Sequence, residues 1–408
     1  MDFPKLSAAS IDLTEGCNLA CDYCFTWSDH KTRNLTIPMG KKIIKFFMDH
    51  AGNTPMIDWW GGEPLLRWNT LRGLTVWAQE EYDDKIQFNG TTNGLLYTPK
   101  KLEWLLDHHS NGFMISCDGV EEAHDAHRKC PNGKGSWKIV DKRMRDILKV
   151  HPFNGVRLSL SVENLPYFFE SMQYFIEDLG FKAIAYSPVF ESEWTDEAFE
   201  LLREQFNLLI PYLREHRDIR IKHLDDACKA DGKKHGFQLP CGAGRSYMGF
   251  SVDGFGYPCH RFNKHGVSTA DRYADLTHIV EPHPHAYLNS SEEGLKWVND
   301  KFHNQFIDYQ VNGQCKDCKI HNITCNGICY AMNYDLKGAI NAQPKHACEY
   351  YHIEEAAGRK LVNKLYSENV ITVGKALTAL SEKAPENEKK ILDMCIEILK
   401  KEYTNGIR

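Results

Sequence analysis

Along the first half of the chain, short apolar or alternating runs recur, each followed by a longer stretch with helical spacing. The short runs are Ser10–Leu13, Met56–Trp60, Ile86–Asn89, Phe113–Ser116, Val156–Val162 and Ala183–Tyr186, and their length and content predict strands. Between or after them lie PMGKKIIKFFMDH, WNTLRGLTVWAQEEY, TPKKLEWLLDHH, SWKIVDKRMRDILKV, LPYFFESMQYFIEDLG and TDEAFELLREQFNLLIPYLREH. Their apolar residues recur at the spacing that a single buried helix face requires. Thr98 before Pro99 is a helix start signal, with a capping side chain preceding a residue that needs no donor. Six strand–helix alternations predict an α/β fold with a parallel sheet and helical crossovers. A six-unit barrel arc and an open doubly wound sheet both satisfy that order. Either one places chemistry in the loops at the carboxyl ends of the strands.

Those loops read TEGCNLACDYC, GGEP, TTNG, CDG, EN and SP. Glycine there lets backbone approach a ligand closely, although the same residues also serve as ordinary turn punctuation. From about residue 225 the rhythm changes to Gly, Cys and aromatic residues. SYMGFSVDGFGYPC predicts a β-hairpin turning at Asp253-Gly254. Residues 265–310 are His-rich and irregular, a cysteine cluster runs to Cys348, and helical spacing returns from Ile353 to Tyr403. The expected division is 1–224, 225–350 and a helical tail 351–408.

Composition narrows the function classes. The 408 residues are 42% hydrophobic and 25% charged, the make-up of a globular protein with a sizeable core. A net charge of -6 and a pI near 6.3 give no electrostatic footprint for nucleic acid. The sequence holds no apolar run of about 18 residues, so no membrane span is expected. The start, MDFPKLSAAS, lacks the basic and apolar segments of a secretory signal. Fourteen cysteines in such a chain are expected to be metal ligands in a reducing cytoplasm rather than disulfides.

Cys17, Cys21 and Cys24 form a C-x3-C-x2-C run in the first loop. Three thiolates can hold three corners of a [4Fe–4S] cluster and leave the fourth iron open to a small molecule; a zinc site completed from elsewhere in the chain is the competing reading. With GGEP after the second strand, this run resembles the radical S-adenosylmethionine (SAM) enzymes. The resemblance implies that Cys17, Cys21 and Cys24 bind a cluster whose unique iron is chelated by SAM. It implies Tyr23 beside adenine, and Gly61, Gly62 and Glu63 at the SAM amino group. SCDG brings Ser116 and Asp118 beside the ribose and carboxylate, and Arg128 of HDAHR is the candidate for the SAM carboxylate. Asn93 and Ser187 join from position alone. The chemistry so implied is reductive cleavage of SAM to a 5′-deoxyadenosyl radical that abstracts hydrogen, with electrons from a flavodoxin- or ferredoxin-type donor.

A second set comprises Cys241, Cys259 after Gly254, then Cys315-x2-Cys318-x6-Cys325-x3-Cys329, and Cys348. Structural zinc would need four ligands per ion. The run resembles the SPASM extension of the same superfamily, with six residues where the family has five. The resemblance implies two auxiliary [4Fe–4S] clusters, three in all. Cys241, Cys259 and Cys329 would bind the first, and Cys315, Cys318, Cys325 and Cys348 the second. Cys228 is the candidate for the missing ligand of the first, which is otherwise open to a substrate thiolate. Cys117, Cys130 and Cys395 fit no pattern and are expected to be free thiols, with Cys117 a further candidate to line the cavity. The fold implied is a partial (β/α)6 TIM-like barrel with a C-terminal SPASM domain and a helical tail.

The resemblance implies a peptide or protein substrate, since enzymes of that kind mostly modify these. In the sulfatase-maturing branch an Asp after the second auxiliary cysteine is the base; here the position is His260, a residue able to take a proton near neutral pH. The wording CGAGRSYMGFSVDGFGYPCHRF is closer to maturases of ribosomally made peptides, so thioether or other crosslink formation is expected, with formylglycine formation as the alternative. The chain begins almost at strand one, so a leader-binding domain is expected to be separate or unnecessary. Trp27, Trp59 and Trp60 are read as core rather than as a substrate mouth. A metal-stapled electron-transfer or binding scaffold without radical chemistry is the reading from another class. A radical SAM enzyme acting on a small molecule or RNA is a third.

Overall fold

The computed structural model describes residues 5–25, 33–108, 110–216, 218–221, 224, 241–243, 245–254, 256–257, 259–262, 315–321, 325–338, 341–361, 389 and 393. Its strands and helices alternate as β1 (Leu6–Asp12), α1 (Ile37–Asp49), β2 (Ala51–Trp60), α2 (Trp68–Glu81), β3 (Gln87–Thr92), α3 (Pro99–Leu106) and β4 (Met114–Ser116). After them come α4 (Glu121–His127), α5 (Trp137–Val150), β5 (Val156–Leu160), α6 (Phe168–Gln173), β6 (Ala183–Pro188), α7 (Asp196–Glu215) and β7 (Arg220–Ile221). The strands pair as β7-β6-β5-β4-β3-β2-β1, every neighbour parallel. Sequential order decides between the two expected sheets, because a doubly wound sheet reverses its order at a switch point. The molecule is the arc of a partial (β/α)6 barrel.

Strand alternation builds its two faces. Ala9, Ile11, Ile57, Val156, Leu158, Leu160 and Ile184 are almost fully buried and face the helices. Between them Ser10, Asp12, Asp58, Trp60, Arg157, Ser159, Ala185 and Ser187 face the other way, as the period of two requires. The outer face is a hydrophobic layer and the inner face a largely polar lumen. Trp59 lies in the outer layer, stacked on Phe88 at 5.9 Å, whereas Trp60 faces the lumen. Trp27 lies outside the described residues.

Local signals account for some helix ends. Thr36 caps α1, its Oγ1 accepting from Met39 N at 3.3 Å. Thr98 stands at the N-cap of α3 as expected but makes no capping bond, and the helix stops at Leu106. The stretch from Leu165 is broken into a 3-10 turn, α6 and a π-helical turn, Tyr174–Asp178. Helix α4, which carries HDAH, is seven residues long and too polar to announce itself.

The hairpin at Asp253-Gly254 is present as β8 (Tyr247–Phe250) and β9 (Gly256–Tyr257), with Gly254 at φ 86. It does more than expected: β8 pairs in parallel with β1, Ala8 to Tyr247 through Ile11 to Phe250, and extends the barrel sheet. A further helix, α8 (Tyr330–Lys337), follows Cys329. Helical residues 345–361 pack on the barrel exterior, where Tyr186 OH donates to Glu354 Oε1 at 2.7 Å. The expected boundary at 350 falls inside this helix. No helix among the described residues is long and apolar enough to cross a membrane.

Candidate active site and cysteine clusters

The loop after β1 is shaped by backbone contacts with the loop after β2. Gly62 N donates to Thr14 O at 2.9 Å and Glu63 N to Gly16 O at 3.0 Å. A Cβ on Gly61 would stand 2.3 Å from Thr14 O, and one on Gly62 2.3 Å from Gly16 O, so both positions must lack a side chain. Gly61 also has φ 129, which favours glycine. Glu63 is buried beneath this contact. Its carboxylate accepts from Leu65 N (3.0 Å), Thr92 Oγ1 (2.8 Å) and Asn93 N (2.8 Å), joining the second and third loops. Asn93 then turns its Nδ2 to Asn18 Oδ1 at 2.7 Å and toward Cys17 Sγ at 3.7 Å. At the start of the loop Arg33 Nε donates to Glu15 Oε2 at 2.8 Å, and the same guanidinium pairs with Asp253 at the hairpin tip.

Cys17, Cys21 and Cys24 gather on this scaffold, all partly buried. Burial, then the Glu63 charge, pushes the Cys17 thiol up to about 12, with Cys21 and Cys24 close enough to add to the effect. Burial pushes Cys21 up to about 12 as well, against the pull of Arg128. Such thiols ionise when a metal takes them.

Across the lumen mouth stands a buried ionic node. Tyr23 OH donates to Asp118, and Arg128 Nε faces the same Oδ2 at 2.9 Å. Asp118 Oδ1 accepts from Ser159 N at 2.9 Å. Arg128 sits 5.5 Å over the Tyr23 ring and reaches Ser159 Oγ at 3.3 Å. Its backbone is fixed by Ser136 Oγ, which donates to Arg128 O at 2.6 Å and lies 2.8 Å from His124 Nε2. Burial, with help from Arg128, holds His124 neutral. His127 bridges Asp22 of the cysteine loop (2.7 Å) and Ser161 (2.7 Å). Ser116 lies level with Arg157, whose guanidinium donates to Ser187 Oγ at 2.9 Å.

The later cysteines fall into two groups. Cys241, Cys259 and Cys329 form the first: burial, and then the nearby Cys329, pushes Cys241 up to about 12, and burial with Cys329 and Cys241 raises Cys259. Cys315, Cys318, Cys325 and Cys348 line one cavity of about 300 Å³, with His321, Gln343 and His352. Burial, and then the neighbouring thiols, pushes Cys315 up to about 11, and burial pushes Cys325 up to about 12. Cys318 Sγ lies 3.6 Å from His352 Nε2. Cys228 and Cys395 lie outside the described residues. Cys117 does not line the lumen: it is fully buried on the opposite face from Ser116, its thiol donating to Gly119 O at 3.5 Å.

His260 is enclosed by Trp60 (4.3 Å between ring centres), Phe25 (5.9 Å) and Tyr247, whose OH lies 2.7 Å from Nδ1. Burial and the Arg157 and Arg261 charges lower its pKa to about 3, leaving a neutral ring of weak basicity.

The donor sets suit iron–sulfur clusters, which thiolates bind. Among the described residues no three His, Cys, Asp or Glu side chains stand close enough to share a single metal ion. Thiolates around a cluster each bind a different iron and stand farther apart. The polar lumen beside the first group, with Asn93, Ser116, Ser159 and Ser187 on its wall, suits a polar cosubstrate.

Fold and site together define a radical SAM protein. Residues 11–163 match the Radical SAM superfamily, and the chain belongs to it. An uncharacterized protein of Methanocaldococcus jannaschii is 30% identical over 217 residues, 52% of this chain and 73% of that one. The cysteine-type anaerobic sulfatase-maturating enzyme of Clostridium perfringens is 23% identical over 88% of this chain and 98% of its own length. The radical SAM cyclopropyl synthase TigE of Paramaledivibacter caminithermalis is 24% identical, with 40% of this chain covering 37% of TigE. Native anSMEcpe with bound AdoMet shares the fold at TM-score 0.69 and 16% identity, over 87% of this chain and 98% of that one. SuiB of Streptococcus suis bound to precursor peptide SuiA does so at TM-score 0.55 and 16% identity, over 84% and 76%. The protein is an enzyme, and its family implies a [4Fe–4S] cluster and SAM.

Sequence reasoning missed Arg157, Ser159, His127 and Tyr247. The alternation in VRLSLSV carried a signal for the first two, since it puts Arg157 and Ser159 on one face.

Proposed function

We propose that this enzyme matures a peptide or protein, taking hydrogen from one residue to install a thioether or other crosslink. The gathering of the Cys17, Cys21 and Cys24 thiols at the lumen mouth is the observation that carries the reading. These cysteines would hold the SAM cluster. Cys241, Cys259 and Cys329, with Cys228, would hold one auxiliary cluster, and Cys315, Cys318, Cys325 and Cys348 a second, in the part of the chain that follows the barrel strands. Bound there, cluster and SAM supply reductive cleavage of the sulfonium and hydrogen abstraction.

The chain's own residues bind and orient. The backbone of Gly61 and Gly62, with Glu63 behind it, fixes the loop where the SAM amino group would lie. Asn93 stands beside Cys17, and Tyr23, Asp118 and Arg128 form a neutralised wall for adenosine, with Ser116 and Ser187 deeper in the lumen. Trp60 and Phe25 exclude water beside His260. Peptide ligands in the structures of SuiB with SuiA and of anSMEcpe with the Cp18Cys peptide support a peptide substrate.

Formylglycine formation is the second reading, favoured by the near full-length similarity to the clostridial enzyme. It is weakened at the position expected for the base, where His260 stands in place of Asp and burial with the Arg157 and Arg261 charges leaves it a weak proton acceptor. The test is anaerobic reconstitution with SAM and a low-potential reductant. Wild type is expected to hold about twelve irons and form 5′-deoxyadenosine. Cys17→Ala, Cys21→Ala and Cys24→Ala together should remove about four irons and all product; persistent product would overturn the reading.

A further inference from the structure

The lumen contains a cation for which the roles above have no use. Arg157 projects inward from β5, on the same face as Ser159 and level with Ser116 of β4 and Ala185 of β6. Its neighbours are neutralised: Arg128 by Asp118 at 2.9 Å, and Arg261 by Glu191, with Asp335 at 3.7 Å. Arg157 has Ser187 Oγ at 2.9 Å and, among the described residues, no carboxylate at ion-pair distance. Burial and the charges of Arg128 and Arg261 all work against it. A guanidinium does not escape by losing its proton, so the unpaired charge is a cost that a bound anion would relieve.

Its location indicates whose anion. Arg128 stands over Tyr23 at the cysteine loop, and Arg261 belongs to the turn after Cys259, 4.9 Å over Phe25. Arg157 feels both. It therefore lies on the lumen wall within electrostatic reach of both the proposed SAM pocket and the Cys259 turn, the space a substrate residue would share with the cosubstrate.

We propose that Arg157, with Ser187 beside it, is a carboxylate clamp for the substrate, holding an Asp or Glu side chain or a C-terminus of the peptide next to the residue to be modified. The inference rests on the peptide-maturation reading and specifies its substrate as acidic at that point.

Reconstituted full-length enzyme saturated with SAM is titrated with N-acetylglutamate N′-methylamide and with its glutamine counterpart, binding being followed by saturation-transfer NMR. The expected result is a preference of about tenfold for the carboxylate probe, the scale of a charge-assisted hydrogen bond. Arg157→Gln abolishes the preference and Arg157→Lys keeps part of it, which separates charge from folding. The variant is also expected to discriminate SAM from decarboxylated SAM as wild type does. Equal binding of both probes to wild type would overturn the proposal. So would an Arg157→Gln enzyme that loses affinity for SAM but not for decarboxylated SAM, since the cation would then serve the cosubstrate. 5′-Deoxyadenosine is measured in the same preparations: if wild type forms none, the proposed function falls and this inference with it; if it forms while the preference is missing, the clamp alone falls.

Discussion

The barrel and the region of the later cysteines are held together differently. Residues 6–221 form seven strands packed on helices through side chains such as Ile11, Ile57 and Leu158 of the sheet and Phe47 and Phe175 of the helices, all fully buried or nearly so. Cysteines 17, 21 and 24 are additions to a scaffold that closes without them. From Cys241 to Cys348 the described elements are one short hairpin, a 3-10 turn, α8 and the start of the helix of 345–361, with cysteines recurring among them. The first region folds by burying apolar area; the second, whose described apolar side chains such as Phe250, Ile328 and Tyr330 join the same core, is also expected to depend on metal, as small metal-bound domains do.

The sharpest way to break the comparison is to strip the iron. Hydrogen exchange on the chelated protein should show residues 315–361 losing protection wholesale while β1–β6 keep theirs; equal loss in both would mean the barrel too is a metal-dependent fold. Next comes the buried ionic node at the barrel mouth. Asp118→Asn leaves the buried Arg128 charge without its partner and should cost about 3–5 kcal/mol in denaturant unfolding.

A titration sharpens the contrast further, because the seam at Tyr186 and Glu354 is polar yet lies between apolar layers. Burial raises Glu354 to about 7 from 4.5. Its neutral form is the one the fold accommodates, so no penalty exists below pH 4.5. Stability falls as pH rises through 7, by about 3 kcal/mol at most. Glu354→Gln should flatten that slope in unfolding measured from pH 4.5 to 8. The smallest effects lie in the barrel's own caps. Thr36→Ala should cost about 1 kcal/mol, whereas Thr98→Ala, which breaks no capping bond, should cost a few tenths. Paired thermal melts check both.

Much of the barrel was legible in the chain because its layers repeat. Alternation found β1–β6, and helical spacing found the long helices between them. What escaped was non-local or short. Nothing in SYMGF indicates that Tyr247 would pair alongside Ala8, since a parallel partner distant in sequence leaves no local mark. Helix α4 lacks an apolar stripe, and the expected boundary at 350 divides a helix whose residues on either side serve Cys348 and Tyr186. At the site, cysteine spacing located the thiols. The roles of Glu63 and Arg157 depend on which neighbours they meet, and that is decided by the packing of loops and strands far apart in sequence.

Strand β8 has one more consequence. Because it is hydrogen-bonded along β1, the separation between the loop of Cys17 and the turn of Cys259 is fixed by a peptide ladder rather than by a hinge. Charge passing between the two would cross a gap that thermal motion scarcely alters, and its rate would be set by chemistry instead of by diffusion of one lobe against another.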